Sequence, residues 1–171
     1  RQEPWKVGFF GVGNETWGCG GNMTPAYYAD LYNRYATFLK APEGKRPKKV
    51  ASGGSNEQTN WTETLASAAR ANMDGISHHY YTLPTGEWEV KGKAVGFPEQ
   101  EWISTLFNTM RIDEYLKLNE AVLEQHDPEG EVGLYLDEWG TWYDPEPGRE
   151  AGFLYQQNTL RDAVVAALNF N

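Results

Sequence analysis

Two periodicities alternate along this chain. Short unbroken apolar runs read as buried strands, and longer stretches in which apolar residues return every three or four positions read as helices packed by one face. The first strand is predicted from Lys6 to Val12, apolar enough to be buried on both faces. Thr24-Pro25 opens a helix, with Thr as N-cap and Pro in the first turn. That helix runs to about Lys40, with Tyr27, Tyr28, Leu31, Tyr32, Tyr35, Phe38 and Leu39 on one apolar face, and Ala41-Pro42-Glu43-Gly44 ends it. A short strand from Lys49 to Ser52 leads into Gly53-Gly54, and a helix from about Thr62 to Asn72 carries Leu65, Ala68 and Ala69. Asp74 to His79 is the third strand, continuing into Tyr80-Tyr81.

Leu83 to Gln100 is a long loop, of the kind that is functional when ordered, and Trp88 and Trp102 argue for order over a site. A helical region from about Glu99 to Gln125, broken near Asn108, buries Ile112, Tyr115, Leu116, Asn119, Val122 and Leu123. His126 to Gly130 stops it. Val132 to Asp137 is the fourth strand, followed by a loop from Gly140 to Gly148. A last helix from about Glu150 carries Phe153, Leu154, Leu160, Val164, Val165 and Leu168.

Strand then helix, four times over, with no hairpin signal and no heptads, predicts a parallel α/β architecture. Four such units make half of an eight-stranded barrel; an open four-stranded sheet is the alternative. The chain opens at Arg1 and stops at Asn171 inside a helical pattern, which reads as an internal stretch of a longer protein. With exposed sheet edges, that stretch alone is expected to be poorly stable or self-associated.

Composition narrows the function. The 171 residues are 40% hydrophobic and 23% charged, a globular balance, with a formal net charge of −9. No basic patch or stripe marks a nucleic-acid partner, and no apolar run reaches membrane-spanning length. The one basic run, Lys45-Arg46-Pro47-Lys48-Lys49, reads as a solvated loop. The 7 Trp, 10 Tyr and 7 Phe, many near loops, suit sugar rings as well as a core. Cys19 is the only cysteine, so the chain has no internal disulfide and no cysteine metal cluster; it is expected to be a small buried residue. Gly11-Val12-Gly13 lacks the third glycine of a dinucleotide fingerprint.

The strand ends deliver Asn14-Glu15, Ser52-Gly53, His79-Tyr80-Tyr81 and Asp137-Glu138. In a parallel α/β fold those ends form the face on which barrel enzymes build active sites. Two carboxyl groups roughly 5–5.5 Å apart are the requirement of a retaining glycosidase, one as acid and one as nucleophile. Each residue also has an ordinary reading: Glu15 as a cap or surface pair, Asp137-Glu138 as an acidic loop start, His78 and His79 as hydrogen-bonded strand histidines. A metal site of His78, His79 and Glu138 is disfavoured, because adjacent strand residues point to opposite faces.

Three stretches carry a resemblance: Gly11 to Met23 around Asn14-Glu15, Ile76-Ser77-His78-His79-Tyr80-Tyr81, and Tyr135 to Tyr143 around Asp137-Glu138-Trp139. On these the sequence resembles the α-L-arabinofuranosidases of glycoside hydrolase family 51, within the clan of (β/α)8 retaining glycosidases. The resemblance implies a TIM-barrel fragment of about four β/α units, strands four to seven. Residues 1–171 would be a partial catalytic domain, with the earlier strands, strand eight and a C-terminal β-sandwich outside it. It implies Glu15 as acid/base, Glu138 as nucleophile, Asn14 on the 2-hydroxyl of the arabinofuranose, Tyr81 orienting Glu138, His79 supporting the site and Trp142 bordering the sugar.

The implied substrate is an arabinose-containing oligo- or polysaccharide such as arabinoxylan or arabinan, with no cofactor and no metal. The full-length protein is compatible with homo-oligomerisation, and its compartment stays open between cytoplasm and export. Many members continue after the acid/base with Met-Asp-Gly-Pro-Trp, whereas this chain has Thr16-Trp17-Gly18-Cys19, so no linkage preference follows. Endoglucanase or xylosidase activity, or a carbohydrate-binding protein without turnover, are the alternatives.

Overall fold

The computed structural model of the protein describes residues 5–42, 44–148 and 156–171. Its elements are β1 (Phe9–Val12), α1 (Pro25–Ala36), β2 (Lys48–Ala51), α2 (Thr59–Ala69) extended by a 3-10 turn (Arg70–Asn72), β3 (Gly75–Thr82), α3 (Glu99–Thr109), α4 (Ile112–His126), β4 (Gly133–Thr141) and α5 (Leu160–Asn169). The strands form one sheet in the order β1-β2-β3-β4. β1 runs parallel to β2, with Val12 opposite Ala51, and β2 parallel to β3, with Ala51 opposite Ile76. The sequence therefore describes a parallel α/β fold correctly. The described residues divide into two compact units, one holding the chain to His79 with Leu116–Asp137, the other Tyr80–Tyr115 with Glu138–Asn171.

In the first unit, α1 begins as the sequence predicts. The Thr24 hydroxyl accepts the Tyr27 N–H at 3.3 Å, and Pro25, which has no N–H to lose, occupies the first turn. The helix buries Tyr28, Ala29, Tyr32 and Ala36. Tyr27, Tyr35 and Phe38, predicted on the same face, are exposed, because the contact made by α1 is a narrower stripe than its aromatic content suggests. Helix α2 packs on α1 through Trp61, Leu65, Ala66 and Ala69. The alanines let the backbones approach closely enough for Asn33 Nδ2 to donate to the Ala68 carbonyl at 2.9 Å. Ala51, Met73, Ile76, Leu123 and Val132 complete this core.

β1 departs from the prediction of two-sided burial. Phe9 is 57% exposed, because among the described residues β1 is an edge strand paired only with β2. The basic run is not simply a solvated loop either. Lys48 and Lys49 enter β2, and Arg46 pairs with Asp74 at 2.6 Å.

In the second unit, α3 packs on α5. The predicted break near Asn108 falls at Met110-Arg111, between α3 and α4. Arg161 is fully buried, its guanidinium stacked over Phe97 at 3.6 Å and donating to the Lys93 carbonyl at 2.7 Å. Asp162 accepts from the Tyr143 hydroxyl, the Thr141 hydroxyl and the backbone N–H of Thr159, the N-cap residue of α5. The predicted start of the last helix at Glu150, with Phe153 and Leu154, lies outside the described residues, as does Glu43 in the predicted end of the first helix.

Entry to β4 depends on buried Asp127. Its carboxylate accepts Arg70 Nε at 2.9 Å and the Val132 N–H at 2.7 Å. Burial alone would raise its pKa, but the Val132 N–H and the Arg70 guanidinium outweigh that and hold it below the ordinary 3.8. A depressed folded-state value means stability that is complete above the ordinary value and lost as pH falls through the lower one. Asp127→Asn is therefore expected to lower the urea midpoint at pH 7. The deficit should shrink in acid, where the wild-type carboxyl is itself protonated; a deficit independent of pH would contradict this.

Candidate active site

The loop after β1 is built by a tyrosine on α1. The buried Tyr28 hydroxyl donates to the Val12 carbonyl and accepts the Ser52 N–H at 2.7 Å, joining the ends of β1 and β2. Buried Thr16 then anchors to the Ser52 hydroxyl, with Oγ1 to Oγ 3.3 Å. Between these points the chain folds into a tight turn. The Glu15 carbonyl accepts the Gly18 and Gly20 N–H groups at 2.8 and 3.0 Å. Glu15 itself has φ +42°, a left-handed conformation rarely taken by a residue with a Cβ. Gly20 is required here, since a Cβ on it would lie 1.7 Å from the Asn14 carbonyl oxygen. Asn14 is exposed in the same turn.

The turn directs the Glu15 carboxyl, with its side chain 21% exposed, at His79 of β3. His79 Nδ1 is 3.1 Å from Glu15 Oε1, and His79 Nε2 is 3.3 Å from Asp137 Oδ1 of β4. Cys19 is exposed rather than buried, and its thiol donates to Glu15 Oε2 at 3.2 Å. The glycines around it hold it in a surface turn four residues beyond Glu15, one helical turn in spacing, and that spacing was the available signal. His78, the other strand histidine, is buried. Burial first, and then the neighbouring His79, push its pKa down to about 4 against the pull of Asp137, so its ring is neutral at physiological pH.

In the second unit, β3 and β4 extend further than the sequence predicts, to Thr82 and Thr141, so Tyr81 and Glu138 are strand residues rather than loop residues. The Tyr81 hydroxyl donates to Glu138 Oε2 at 3.0 Å. The Tyr81 ring meets Trp142 edge to face, with centroids 5.0 Å apart, and Trp142 is fixed by its N–H to the Thr82 carbonyl at 3.2 Å. The long loop is ordered as expected: the Asp144 carboxylate accepts the Lys91 and Gly92 N–H groups at 3.2 and 3.1 Å. That loop brings half-exposed Trp88 to within 5.5 Å of Trp142, adding an aromatic residue to the predicted ones.

The structure thus gathers Glu15, His79, Asp137 and Cys19 in one unit, and Tyr81, Glu138, Trp142 and Trp88 in the other. The two glutamates have different partners. A Tyr hydroxyl donates to Glu138. Glu15 faces an imidazole nitrogen, which as a lone pair accepts from a protonated carboxyl. Both ring nitrogens of His79 are directed at carboxylates. No described helix is long and apolar enough to cross a membrane.

Comparison with known proteins shows what the chain is similar to. Residues 137–171 match the profile described as "Alpha-L-arabinofuranosidase C-terminal domain"; its described residues form the end of β4 and α5. The chain is 46% identical over all 171 residues to a Bacteroides ovatus protein named "Intracellular exo-alpha-L-arabinofuranosidase", covering 33% of that protein. It superposes on a crystal structure of the GH51 arabinofuranosidase from Xanthomonas axonopodis pv. citri with a TM-score of 0.93 and 49% identity, covering 99% of this chain and 34% of that one. The thermostable GH51 α-L-arabinofuranosidase from Thermotoga petrophila shares the fold, with a TM-score of 0.76 at 24% identity, over 99% of this chain and 32% of that one. The chain spans about a third of the length of these relatives.

The turn that holds Glu15 gives a direct test. Gly20→Ala forces a Cβ into the Asn14 carbonyl and is expected to destabilise the protein by about 1–3 kcal/mol, as overpacking does. A thermal midpoint equal to wild type would show that the turn is not constrained as described.

Proposed function

We propose that this chain, which belongs to glycoside hydrolase family 51, carries the acid/base and the nucleophile of a retaining exo-α-L-arabinofuranosidase, within part of a (β/α)8 barrel. The observation that carries this reading is the opposite hydrogen-bond setting of the two glutamates, a hydroxyl donor on Glu138 and an imidazole nitrogen beside Glu15. A hydroxyl donor fixes one oxygen of Glu138, as an attacking carboxylate requires, and Glu15 lies beside a ring that can exchange protons with it. The substrate class comes from the names of the relatives, which are arabinofuranosidases.

In this mechanism the Glu138 carboxylate attacks the anomeric carbon while Glu15 gives its proton to the departing glycosidic oxygen, leaving arabinofuranose bonded to Glu138. Water then attacks that carbon, Glu15 takes the proton from the water, and Glu138 leaves as carboxylate. Asn14 holds the 2-hydroxyl of the sugar, Tyr81 fixes the attacking oxygen of Glu138, and Trp142 borders the ring. Arabinose at the non-reducing ends of arabinoxylan, arabinan or their oligosaccharides is the group removed.

Three substitutions in the full-length protein test this with aryl and natural arabinofuranosides. Glu138→Ala is expected to abolish turnover while leaving the circular dichroism spectrum intact. Glu15→Ala should cut kcat/KM for an unactivated substrate by about 10²–10⁴-fold, the usual worth of a general acid. Added azide should then restore turnover of an aryl substrate and give an α-configured glycosyl azide. Activity persisting in Glu138→Ala, or a wild-type protein that binds arabinofuranosides without hydrolysing them, overturns the reading. Hydrolysis of xylosides or β-glucans alone points to another activity of the same clan.

Tyr81→Phe removes the donor that holds Glu138 Oε2. Its kcat/KM is expected to fall by about tenfold, the worth of one hydrogen bond to a charged group, with the circular dichroism spectrum unchanged. Unchanged kinetics would separate Tyr81 from the nucleophile.

A further inference from the structure

We infer that Asp137 is a positioning residue which, through His79, keeps Glu15 supplied with the proton it donates and recovers. This rests on Glu15 being the acid/base. The geometry is a three-member chain. His79 Nδ1 lies 3.1 Å from Glu15 Oε1, and His79 Nε2 lies 3.3 Å from Asp137 Oδ1. The His79 side chain is only 3% exposed, so water does not substitute for either carboxylate.

Proton counting fixes what such a chain does. A neutral imidazole has one N–H and one lone pair, and an imidazolium has two N–H groups. A lone pair facing an ionised carboxylate is repelled, so both contacts are satisfied only when the chain holds two protons. Both are on the ring, with Glu15 and Asp137 ionised, or one is on Glu15 and the other at Nε2, or one is on Asp137 and the other at Nδ1. The first two differ by one proton moving along the Nδ1···Oε1 line. Asp137, with its side chain 48% exposed, carries its negative charge beside Nε2 and draws a ring proton there. That leaves Nδ1 as the acceptor from a protonated Glu15.

The count then follows the reaction. When Glu15 gives its proton to the departing oxygen, one proton remains, and whichever nitrogen holds it, a lone pair faces a carboxylate. That repulsion raises the affinity of Glu15 for a proton. Water attacking the glycosyl-enzyme supplies one, and the two-proton chain is restored: one proton out to the leaving group, one in from water. Of the other groups in this unit, the adjacent His78 is neutral, the Cys19 thiol meets Glu15 on Oε2, and the backbone N–H of His79 donates to the Gly54 carbonyl at 3.3 Å. Among the described residues no lysine or arginine pairs with Asp137 or Glu15 within this unit.

Asp137→Asn in the full-length protein is the test. The amide offers Nε2 either a weaker acceptor or a donor, and a donor places the ring proton at Nδ1, where it favours ionised Glu15. Both effects lower the proton affinity of Glu15. The basic limb of kcat/KM, which requires protonated Glu15, is expected to move down by about one pH unit. The rate should fall at least tenfold more for an alkyl arabinofuranoside than for a dinitrophenyl one, whose leaving group needs no proton.

An unmoved limb, with equal losses on both substrates, overturns the inference and leaves only a structural role for Asp137. Should the variant not fold, the imidazole nitrogen-15 shifts of His79 in the wild type decide: a proton at Nε2 with an accepting Nδ1, or a doubly protonated ring, supports the chain, and a neutral ring protonated at Nδ1 overturns it. Loss of the Glu15→Ala phenotype would instead overturn the catalytic reading itself, so the two failures are distinct.

Discussion

One hydroxyl group sets the geometry on which the loop after β1 depends. Tyr28 lies buried on α1 and reaches across to the Val12 carbonyl and the Ser52 N–H, so the ends of two neighbouring parallel strands are tied to the same oxygen. Val12 is the last paired residue of β1 and Ser52 follows Ala51, the last paired residue of β2, so the tie is made where the sheet ladder ends. Burial raises the hydroxyl well above its ordinary pKa, so it remains a proton donor across the working range. Tyr32 and Trp61 pack against the same ring and turn a polar tie into part of the core. The turn that carries Glu15 therefore starts from a fixed point.

Beyond that point the turn holds a conformation the chain would not choose locally. A glutamate at φ +42° stands in a region that costs about 1–3 kcal/mol for a residue with a Cβ. The cost is offset by the two N–H groups on its carbonyl, by the Thr16–Ser52 anchor and by the room that Gly20 leaves. Strain of this kind persists only where the surroundings over-determine it. Here it aims a carboxyl at a buried imidazole.

The second unit solves a different problem, the ordering of long loops rich in aromatic residues. Asp144 binds two backbone N–H groups of the loop between β3 and α3. Asp162 draws the segment after β4 onto the cap of α5, and burial of the Tyr143 hydroxyl that it accepts pushes that group up to about 12. Arg161 contributes by stacking its guanidinium between Phe97 and Tyr143. With these supports the Trp88 and Trp142 rings are held against each other, and Trp142 against Tyr81.

The sequence by itself determined the order of strands and helices, the start of α1 at Thr24-Pro25 and the placing of Glu15 and Glu138 after apolar runs. Period, capping and turn chemistry are local, and a reader of the chain has all of them. It also marked Asn14, His79, Tyr81 and Trp142, through motifs that resemble those of a known family. What it left undecided was every choice made by contacts distant along the chain. Seven residues of the predicted first helix are apolar by period, but packing against α2 and the sheet selects which of them are buried. Cys19 stands among glycines like a small core residue, yet the turn around Glu15 carries it to the surface and onto the carboxylate. Asp137 was visible only as an acidic neighbour of Glu138, since no spacing rule links it to His79 on another strand. The partners of a charge are set by strand pairing and by the burial of the ring between them, and those exist only once the sheet has formed.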